Sequence, residues 1–213
     1  MKNFKKLVAA LGLVTGLGVA HQAQAALQLQ LSDGTTTVTL SDGGAGFIVF
    51  NGAIGCFILN VATGVGDAFT PGFTGIDLNS VNVATCAPAD TLTITFSETG
   101  FVGGSSFQGA IGGTVTGLDV DASLYVGANV FNSLLEEIGS GFSTTSDGAF
   151  STMFSESAAG LSPPYSMTMV VELTGTSGLA SFDFEAKVVP EPATLALLGL
   201  GLLGVGIASR RRA

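Results

Sequence analysis

The chain has 213 residues, of which 46% are hydrophobic, 11% are charged and 31 are glycine. The charged fraction is less than half of the roughly 25% typical of soluble globular chains, and this composition excludes intrinsic disorder of the charged, core-poor type. Residues 26–190 hold fifteen acids and one base, Lys187, so this region has a net charge of −14. Because such a surface repels a phosphate backbone, the composition also excludes a nucleic-acid-binding protein.

The first 25 residues have the pattern of a secretory signal peptide. Three lysines within the first six residues precede an uncharged, apolar stretch at residues 7–20. Ala23 and Ala25 then supply the small-x-small signal for cleavage. The apolar stretch is shorter than the ~20 residues that a membrane span needs. We therefore predict a signal peptide at residues 1–25 that is cleaved, rather than a permanent anchor.

Two turn dipeptides set the strand registers near the start of the mature chain. A two-residue loop at the Asp-Gly of residues 33–34 would pair Leu29 with Val38 and place the apolar residues of both strands on one face. A second loop, at the Asn-Gly of residues 51–52, would make residues 47–50 the first strand of another hairpin.

Cys56 and Cys86 are the two cysteines of the chain. A cysteine pair in an exported protein is typical of a disulfide. Closing this span would constrain the unfolded chain by about 3 to 4 kcal/mol on the loop-entropy model. A zinc site is excluded because the mature chain has no histidine and no further thiolates. We therefore predict a disulfide between Cys56 and Cys86.

Apolar and polar residues alternate along four segments with the period of two that half-buried strands show. In residues 91–97, for example, Leu92, Ile94 and Phe96 share one face and hydroxyl side chains share the other. The other three segments are residues 120–126, 166–173 and 181–188. About ten or eleven short strands fit into residues 26–188, which predicts an all-β fold: a single antiparallel β-sandwich of jelly-roll or immunoglobulin-like type.

Three stretches depart from this alternation. Residues 76–78 and 81–83 are out of phase by one residue, which predicts a β-bulge near Asn79. Residues 129–138 have helix-spaced apolar positions and form either a short surface helix or an irregular strand. Residues 139–160 are rich in Ser, Thr and Gly and are predicted to be a mobile loop.

The last part of the chain has the pattern of a membrane segment with marked ends. The marker residues are Pro190, Glu191 and Pro192 at its start and Arg210, Arg211 and Arg212 at its end. Residues 193–208, which lie between them, carry no charge and would extend about 24 Å as a helix, a little less than the ~30 Å hydrocarbon core. The arginines favour a cytoplasmic end. We predict a transmembrane helix that tethers the exported domain to the outer face of the membrane.

Residues 189–213 resemble the PEP-CTERM sorting signal of Gram-negative bacteria. The resemblance rests on the Pro-Glu-Pro motif, the Leu/Gly-rich apolar stretch and the arginine cluster. The resemblance implies that exosortase, a membrane cysteine protease, removes the tail near the motif. It also implies residence at the cell surface or in the exopolysaccharide matrix of a biofilm or floc. Because this family is defined by its tail, the resemblance leaves the role of residues 26–188 open.

Few side chains of the mature domain are suited to catalysis. Residues 26–188 contain no His, no Arg and one Lys, which excludes Ser-His and Cys-His relays and a cationic clamp for an oxyanion. Carboxylate pairs remain, as glycoside hydrolases use them: Asp119 with Asp121, and Asp183 with Glu185. Acids that alternate with buried residues are normally the solvated side of a sheet, so we assign no catalytic residue.

Two further hypotheses concern ligands. Acids in or beside predicted turns offer the oxygen ligands that calcium takes, although no EF-hand loop is present. These acids are Asp33, Asp42, Asp67, Asp77, Asp90 and Asp147. Solubility and turn formation explain most of them, so we predict no cofactor and leave calcium as the alternative. Tyr125 falls on the outward side of its predicted strand and is the aromatic residue we would test first against a sugar ring.

These observations favour a non-catalytic, exported protein of the cell surface or exopolysaccharide matrix, with an exosortase-type membrane protease as its processing partner. A carbohydrate-binding module is the alternative, because β-sandwiches commonly host such sites. A carboxylate-dependent glycoside hydrolase is the third possibility.

Overall fold

The computed structural model describes residues 26–66, 74–85, 90–127, 136–137 and 142–189. Within these ranges the chain forms thirteen β-strands. They are β1 (Leu27–Ser32), β2 (Thr37–Ser41), β3 (Phe47–Ile54), β4 (Phe57–Val65), β5 (Gly75–Thr85), β6 (Asp90–Phe101), β7 (Ser106–Thr116), β8 (Asp119–Gly127), β9 (Glu136–Glu137), β10 (Phe142–Thr144), β11 (Gly148–Ser157), β12 (Tyr165–Gly175) and β13 (Gly178–Val189).

The strands form two antiparallel sheets in a sandwich-like arrangement. Sheet A has the order β10-β8-β12-β6-β1-β2, with β9 beside β8, and sheet B has the order β11-β7-β13-β5-β4-β3. The predicted all-β, two-sheet architecture is confirmed. The finer choice between a jelly-roll and an immunoglobulin-like type stays a prediction.

A single hydrophobic cluster lies between the two sheets. Leu29, Phe96 and Met169 enter it from sheet A, and Leu59 and Phe184 enter it from sheet B. The four segments with a period of two all lie on strands, and the apolar positions assigned to the core face are buried. Ser97, Ser166 and Thr168, on the other face of sheet A, are buried as well. Alternation therefore indicated correctly which face of each of these strands joins the core.

The first predicted register is wrong by two residues. Leu29 pairs with Leu40 rather than with Val38. A two-residue shift preserves the alternation of faces, so the apolar residues of β1 still point inward.

Asp33 is the physical reason for this shift, because its carboxylate sits beneath the turn. It accepts hydrogen bonds from the backbone N–H groups of Thr35 and Thr36, and Asp33 N donates to Thr36 O at 3.2 Å. The turn thus centres on Gly34 and Thr35, with Gly34 at φ 81°. The same Thr36 and Thr35 N–H groups hold the pKa of Asp33 below its usual value.

The second predicted hairpin loop is also wrong, because residues 51–52 lie inside β3. Asn51 pairs with Asn60, and the chain reverses at Gly55 and Cys56 instead. Gly55 has φ 54°, a left-handed conformation that glycine adopts without steric cost. The Asn-Gly pair is typical of a hairpin turn, but here both residues pair with β4 and the strand continues.

Residues 139–160 were predicted to be a mobile loop, and this is wrong for most of that stretch. β10 pairs with β8, and β11 pairs with β7 over ten residues. Phe150 and Phe154 pack against the core, and the Phe150 ring stacks on Phe142 with centroids 4.9 Å apart. A composition rich in Ser, Thr and Gly concealed a strand that packs against the core through two phenylalanines on one face.

The predicted bulge near Asn79 is confirmed. The register of β13 against β5 shifts between Phe182, which pairs with Val81, and Phe184, which pairs with Leu78. Of the ambiguous residues 129–138, residues 136–137 form β9 and the others lie outside the described residues.

The two ends of the sandwich are named here for later reference. The exit pole is the end at which β13 ends and β1 begins. The loops at this end are residues 42–46, 102–105 and 158–164. The opposite end, with the turns at residues 33–36 and 55–56, is the turn pole.

Close approach of β7 and β13 yields a stability prediction. A Cβ atom on Gly113 would overlap the Ser181 carbonyl oxygen, whereas on Gly112 its nearest contact would be the Phe150 carbonyl oxygen at 3.5 Å. We expect Gly113→Ala to lower the free energy of unfolding by about 1–3 kcal/mol because the backbone must shift. The matched variant Gly112→Ala should stay within about 0.5 kcal/mol of the wild type. Urea unfolding followed by circular dichroism measures both, and equal effects would contradict the packing argument.

Candidate functional site: an uncharged groove on the outer face of sheet B

The residues of the predicted transport signals lie outside the described residues. They are Ala23 and Ala25 of the cleavage signal, Pro190, Glu191 and Pro192 of the sorting motif, and Arg210, Arg211 and Arg212. The predicted membrane segment, residues 193–208, lies outside them as well. Within the part of the chain that is described, no helix has the length and apolar character to cross a membrane.

The strand that leads into the tail is integral to the fold. β13 lies between β7 and β5 within sheet B and ends at Val189, the residue before Pro190. Val189 pairs with Ser106, and Val188 N donates to Thr74 O at 2.8 Å. The tail therefore begins directly where an interior strand of the sandwich ends.

The two predicted carboxylate pairs are separated by the fold, because Asp119 and Asp121 belong to sheet A while Asp183 and Glu185 belong to sheet B. Asp121 pairs across the sheet with Glu172. Like charges at directly opposite positions are unfavourable and typical of a solvated face.

Asp77 joins the carboxylate pair on sheet B, because β5 pairs it directly with Glu185. Burial raises the pKa of Asp77; a hydrogen bond from the Asn79 side chain opposes this, and the charges of Glu185 and Asp183 add to it. Glu185 Oε1 lies 3.3 Å from Lys187 Nζ. Among the described residues, no group of three or more His, Cys, Asp or Glu side chains is placed to hold a metal ion.

The raised pKa of Asp77 predicts a pH-dependent stability difference. Because the folded-state pKa lies above the unfolded value of 3.8, the stability that protonated Asp77 provides is complete below pH 3.8 and is lost as pH rises through the folded-state pKa. Asp77→Asn should therefore stabilise the protein at pH 7, by at most about 1 kcal/mol because the side chain is only half-buried. Thermal unfolding between pH 3 and 7 should show this gain vanish at the acidic end; a constant or growing gain would contradict it.

Three of the acids considered for calcium accept hydrogen bonds from backbone N–H groups. The Asp42 carboxylate accepts a bond from Gly46 N at 2.8 Å, and the Asp147 carboxylate accepts one from Gly117 N at 2.7 Å. Asp90 accepts a bond from the neighbouring N–H of Thr91. Asp67 lies outside the described residues. These contacts account for the positions of three of these acids without a cation.

The two tyrosines are placed differently from each other. Tyr125 is half-buried on the outer face of sheet A, where β8 pairs it with Thr168 and with Glu137 of β9. Tyr165 is 2% exposed, and its hydroxyl donates to Gly103 O at 2.7 Å. Burial raises the pKa of Tyr165 to about 12. Tyr165 is therefore a buried residue that packs under the loop at residues 102–105. The ligand role of Tyr125 stays a prediction.

The predicted disulfide stays a prediction, because Cys86 lies outside the described residues. The register of β4 and β5 supports it. Phe57 pairs with Thr85, so Cys56 and Cys86 are the next residues along the two strands in an antiparallel count.

We expect Cys56→Ser to lower the free energy of unfolding by about 3 to 4 kcal/mol, because the loop that the disulfide closes becomes free in the unfolded chain. Cys86→Ser should have the same effect, and the double variant should lose no more than either single one. Urea unfolding with and without a reducing agent measures this. Two titratable thiols in the unreduced, unfolded chain would overturn the pairing.

Sequence reasoning missed a groove of 470 Å³ on the outer face of sheet B, near the turn pole. Its centre is a row of polar side chains on adjacent strands. Strand pairing aligns Asn51 of β3 with Asn60, Asn60 with Asn82 of β5, Asn82 with Ser181, and Ser181 with Thr114 of β7. Adjacent strands lie about 4.8 Å apart, so the row runs about 19 Å across five strands.

A second row of the groove is mainly aliphatic. Ile58 pairs with Ala84, and Ala84 pairs with Leu179. Ile58 and Leu179 are 65% and 61% exposed, so they present apolar surface to solvent beside the polar row. We call this surface, with its polar row and its aliphatic row, the sheet B groove.

The sheet B groove carries no charged side chain among the described residues that line it. Acids begin next to it, at Asp183, two residues beyond Ser181 on the same face of β13. The signal in the sequence was an outward-facing asparagine on each of three strands. Only the register could show that these asparagines adjoin.

The family model for the PEP-CTERM protein-sorting motif matches residues 188–212. The chain carries a PEP-CTERM protein-sorting motif. The motif implies that the protein is exported, is anchored in the membrane before processing and is processed by exosortase, a membrane protein. The match includes Pro190, Glu191 and Pro192, so it confirms the resemblance on which the sequence analysis relied. No curated protein sequence matches the chain.

Several solved structures share weak similarity with the fold. A structure of TmCBM61 in complex with β-1,4-galactotriose is 8% identical, with a TM-score of 0.36 over 52% of this chain and 70% of that one. The enzymatically active domain of bacteriophage CBA120 tailspike protein 4 is 7% identical, with a TM-score of 0.42 over 68% and 20%. The Cowpea mosaic virus top component is 9% identical, with a TM-score of 0.33 over 78% and 79%. Similarities this weak carry no argument about function.

Proposed function

We propose that this protein is a non-catalytic component of the cell surface or exopolysaccharide matrix of a Gram-negative bacterium, delivered there by exosortase processing of its tail. The sorting motif at residues 188–212 is the observation that carries the proposal. The fold supports it, because Pro190 follows directly on the last residue of β13 and the described residues up to Val189 by themselves form two sheets around one hydrophobic cluster.

The carboxylate pair on sheet B supports a structural rather than a catalytic role. A glycoside hydrolase needs two carboxyl groups that flank one bond, one of them held protonated in a protected site. Asp183 and Glu185 instead lie on an open sheet face, where Glu185 is paired with Lys187. The hydrolase alternative is therefore the weakest of the three functions.

A carbohydrate-binding role is the second candidate, and the sheet B groove is the observation that favours it. Sites for extended ligands are concave and combine apolar surface with a few polar groups that fix orientation. Amide and hydroxyl side chains beside exposed aliphatic ones meet that description without any catalytic group.

The tail assignment can be tested by changing the motif in the exporting host. Replacing Pro190, Glu191 and Pro192 with alanine should leave the chain in the inner membrane, because the processing enzyme no longer recognises it. Deleting residues 190–213 should instead release the protein in soluble form, because the membrane segment is gone. Cell fractionation and mass spectrometry of the recovered chain measure both results.

Thr194→Ala is the matched control, since Thr194 lies in the tail outside the Pro-Glu-Pro motif and the arginine cluster. It should be sorted like the wild type. Normal sorting of the triple-alanine variant, or secreted wild-type protein that retains residues 193–213, would refute the proposed route.

A further inference from the structure

We propose that the sheet B groove binds a neutral polysaccharide chain that lies across the strands. This inference deepens the second candidate function and rests on the export of the chain, which brings the groove to the extracellular polymer. It assigns the ligand class and the contacting residues to a surface that the sorting motif does not involve.

The polar row supplies hydrogen-bonding groups of both kinds along the length of the groove. Each asparagine side chain carries two N–H donors and a carbonyl acceptor, and the hydroxyls of Ser181 and Thr114 both donate and accept. Sugar hydroxyl groups likewise donate and accept. A row that repeats such groups about every 4.8 Å over about 19 Å suits an extended polymer of hydroxyl-bearing units better than a single small molecule.

The aliphatic row supplies the apolar surface that a sugar ring needs on its C–H face. Ile58 and Leu179 lie two strands apart, about 10 Å, and both remain largely exposed. Covering them removes apolar surface from water, which is favourable in proportion to the area covered. They take the place that an aromatic platform has in other sugar sites.

The charge distribution selects a neutral ligand. Residues 26–190 carry a net charge of −14, yet the described residues that line the groove are all uncharged. Asp183, Asp77 and Glu185 lie on the same face toward the exit pole, where Lys187 pairs with Glu185 and leaves an excess of negative charge. These carboxylates repel an acidic polymer, and an uncharged one meets no such repulsion.

The groove lies away from the point where the tail leaves the sandwich. Ser181 lies eight residues before Val189 on β13, which places the groove about 27 Å from the point where the tail leaves. The proposed site therefore includes no residue of the sorting motif.

The test measures binding of the purified full-length chain, in detergent, to dextran, a mixed-linkage β-glucan and a galactomannan, with alginate as the polyanion. We expect binding to at least one of the neutral polymers and none to alginate. Asn51→Ala and Ile58→Ser should each weaken this binding about tenfold, the effect of losing one hydrogen bond or one apolar contact. Isothermal titration calorimetry and affinity electrophoresis give the dissociation constants.

Two matched controls lie on surfaces outside the groove. Met153→Ser removes an aliphatic side chain that is 71% exposed on β11 of the same sheet, and Gln30→Ala removes an amide from the outer face of sheet A. Both should bind like the wild type. Because Ile58 and Asn51 are exposed, their variants should fold normally, which circular dichroism checks.

Three binding results would each overturn the inference: no binding to any neutral polymer, equal binding by the groove variants, or preferential binding to alginate. An oligomer that Ile58→Ser dissociates in sedimentation would also overturn it, since the groove would then be an interface between copies of this chain. Sorting is measured separately in cells. A chain that is sorted but binds nothing refutes only this inference, and one that binds but is not sorted refutes only the proposed function.

Discussion

Burial of one face of each sheet against the other is the constraint on which the rest of this structure depends. Successive side chains of a strand point to opposite faces of the sheet. When alternate residues of a strand enter the core, the remaining residues therefore point to the outer face. Phe96 and Met169 of sheet A and Phe184 of sheet B are fully buried, and burial of such a side chain contributes about 1.5–3 kcal/mol. The register of each strand is therefore held firmly, since a slip by one residue would expose its apolar set.

The outer faces follow from that commitment. Once the core fixes which side of β3, β4 and β5 points outward, pairing of the strands brings Asn51, Asn60 and Asn82 into one row. No interaction among the asparagines needs to direct this, because the buried residues on the opposite side of each strand set their positions. The groove therefore forms as a consequence of the strand registers that the core sets. Its lining is uncharged, whereas the neighbouring part of the same face carries charged side chains.

Transport and folding are joined at β13. This strand is paired on both sides, by β7 and by β5, and it carries Phe182 and Phe184 into the core before it ends at Val189. Loss of the strand would open sheet B in its middle. The Pro-Glu-Pro motif begins directly after Val189, so the sorting motif follows a strand on which sheet B depends.

The sequence by itself determined the local features of this protein. The sorting motif, the alternation of four core strands and the bulge near Asn79 each depend on residues that are close together in the chain. Composition also indicated how few of the side chains in residues 26–188 suit catalysis.

Tertiary structure alone decided the end of β3, the strand at β11 and the sheet B groove. The turn after β1 is a local feature, because Asp33 accepts bonds from N–H groups two and three residues further along. Continued pairing with β4, in contrast, extends β3 past its Asn-Gly pair. The groove brings together residues as far apart in the chain as Asn51 and Ser181. They lie close to each other because of the order of the strands in sheet B. Local propensity acts over a few residues, whereas strand order is set by burial of the whole core. The groove depends on strand order, so local propensity could not indicate it.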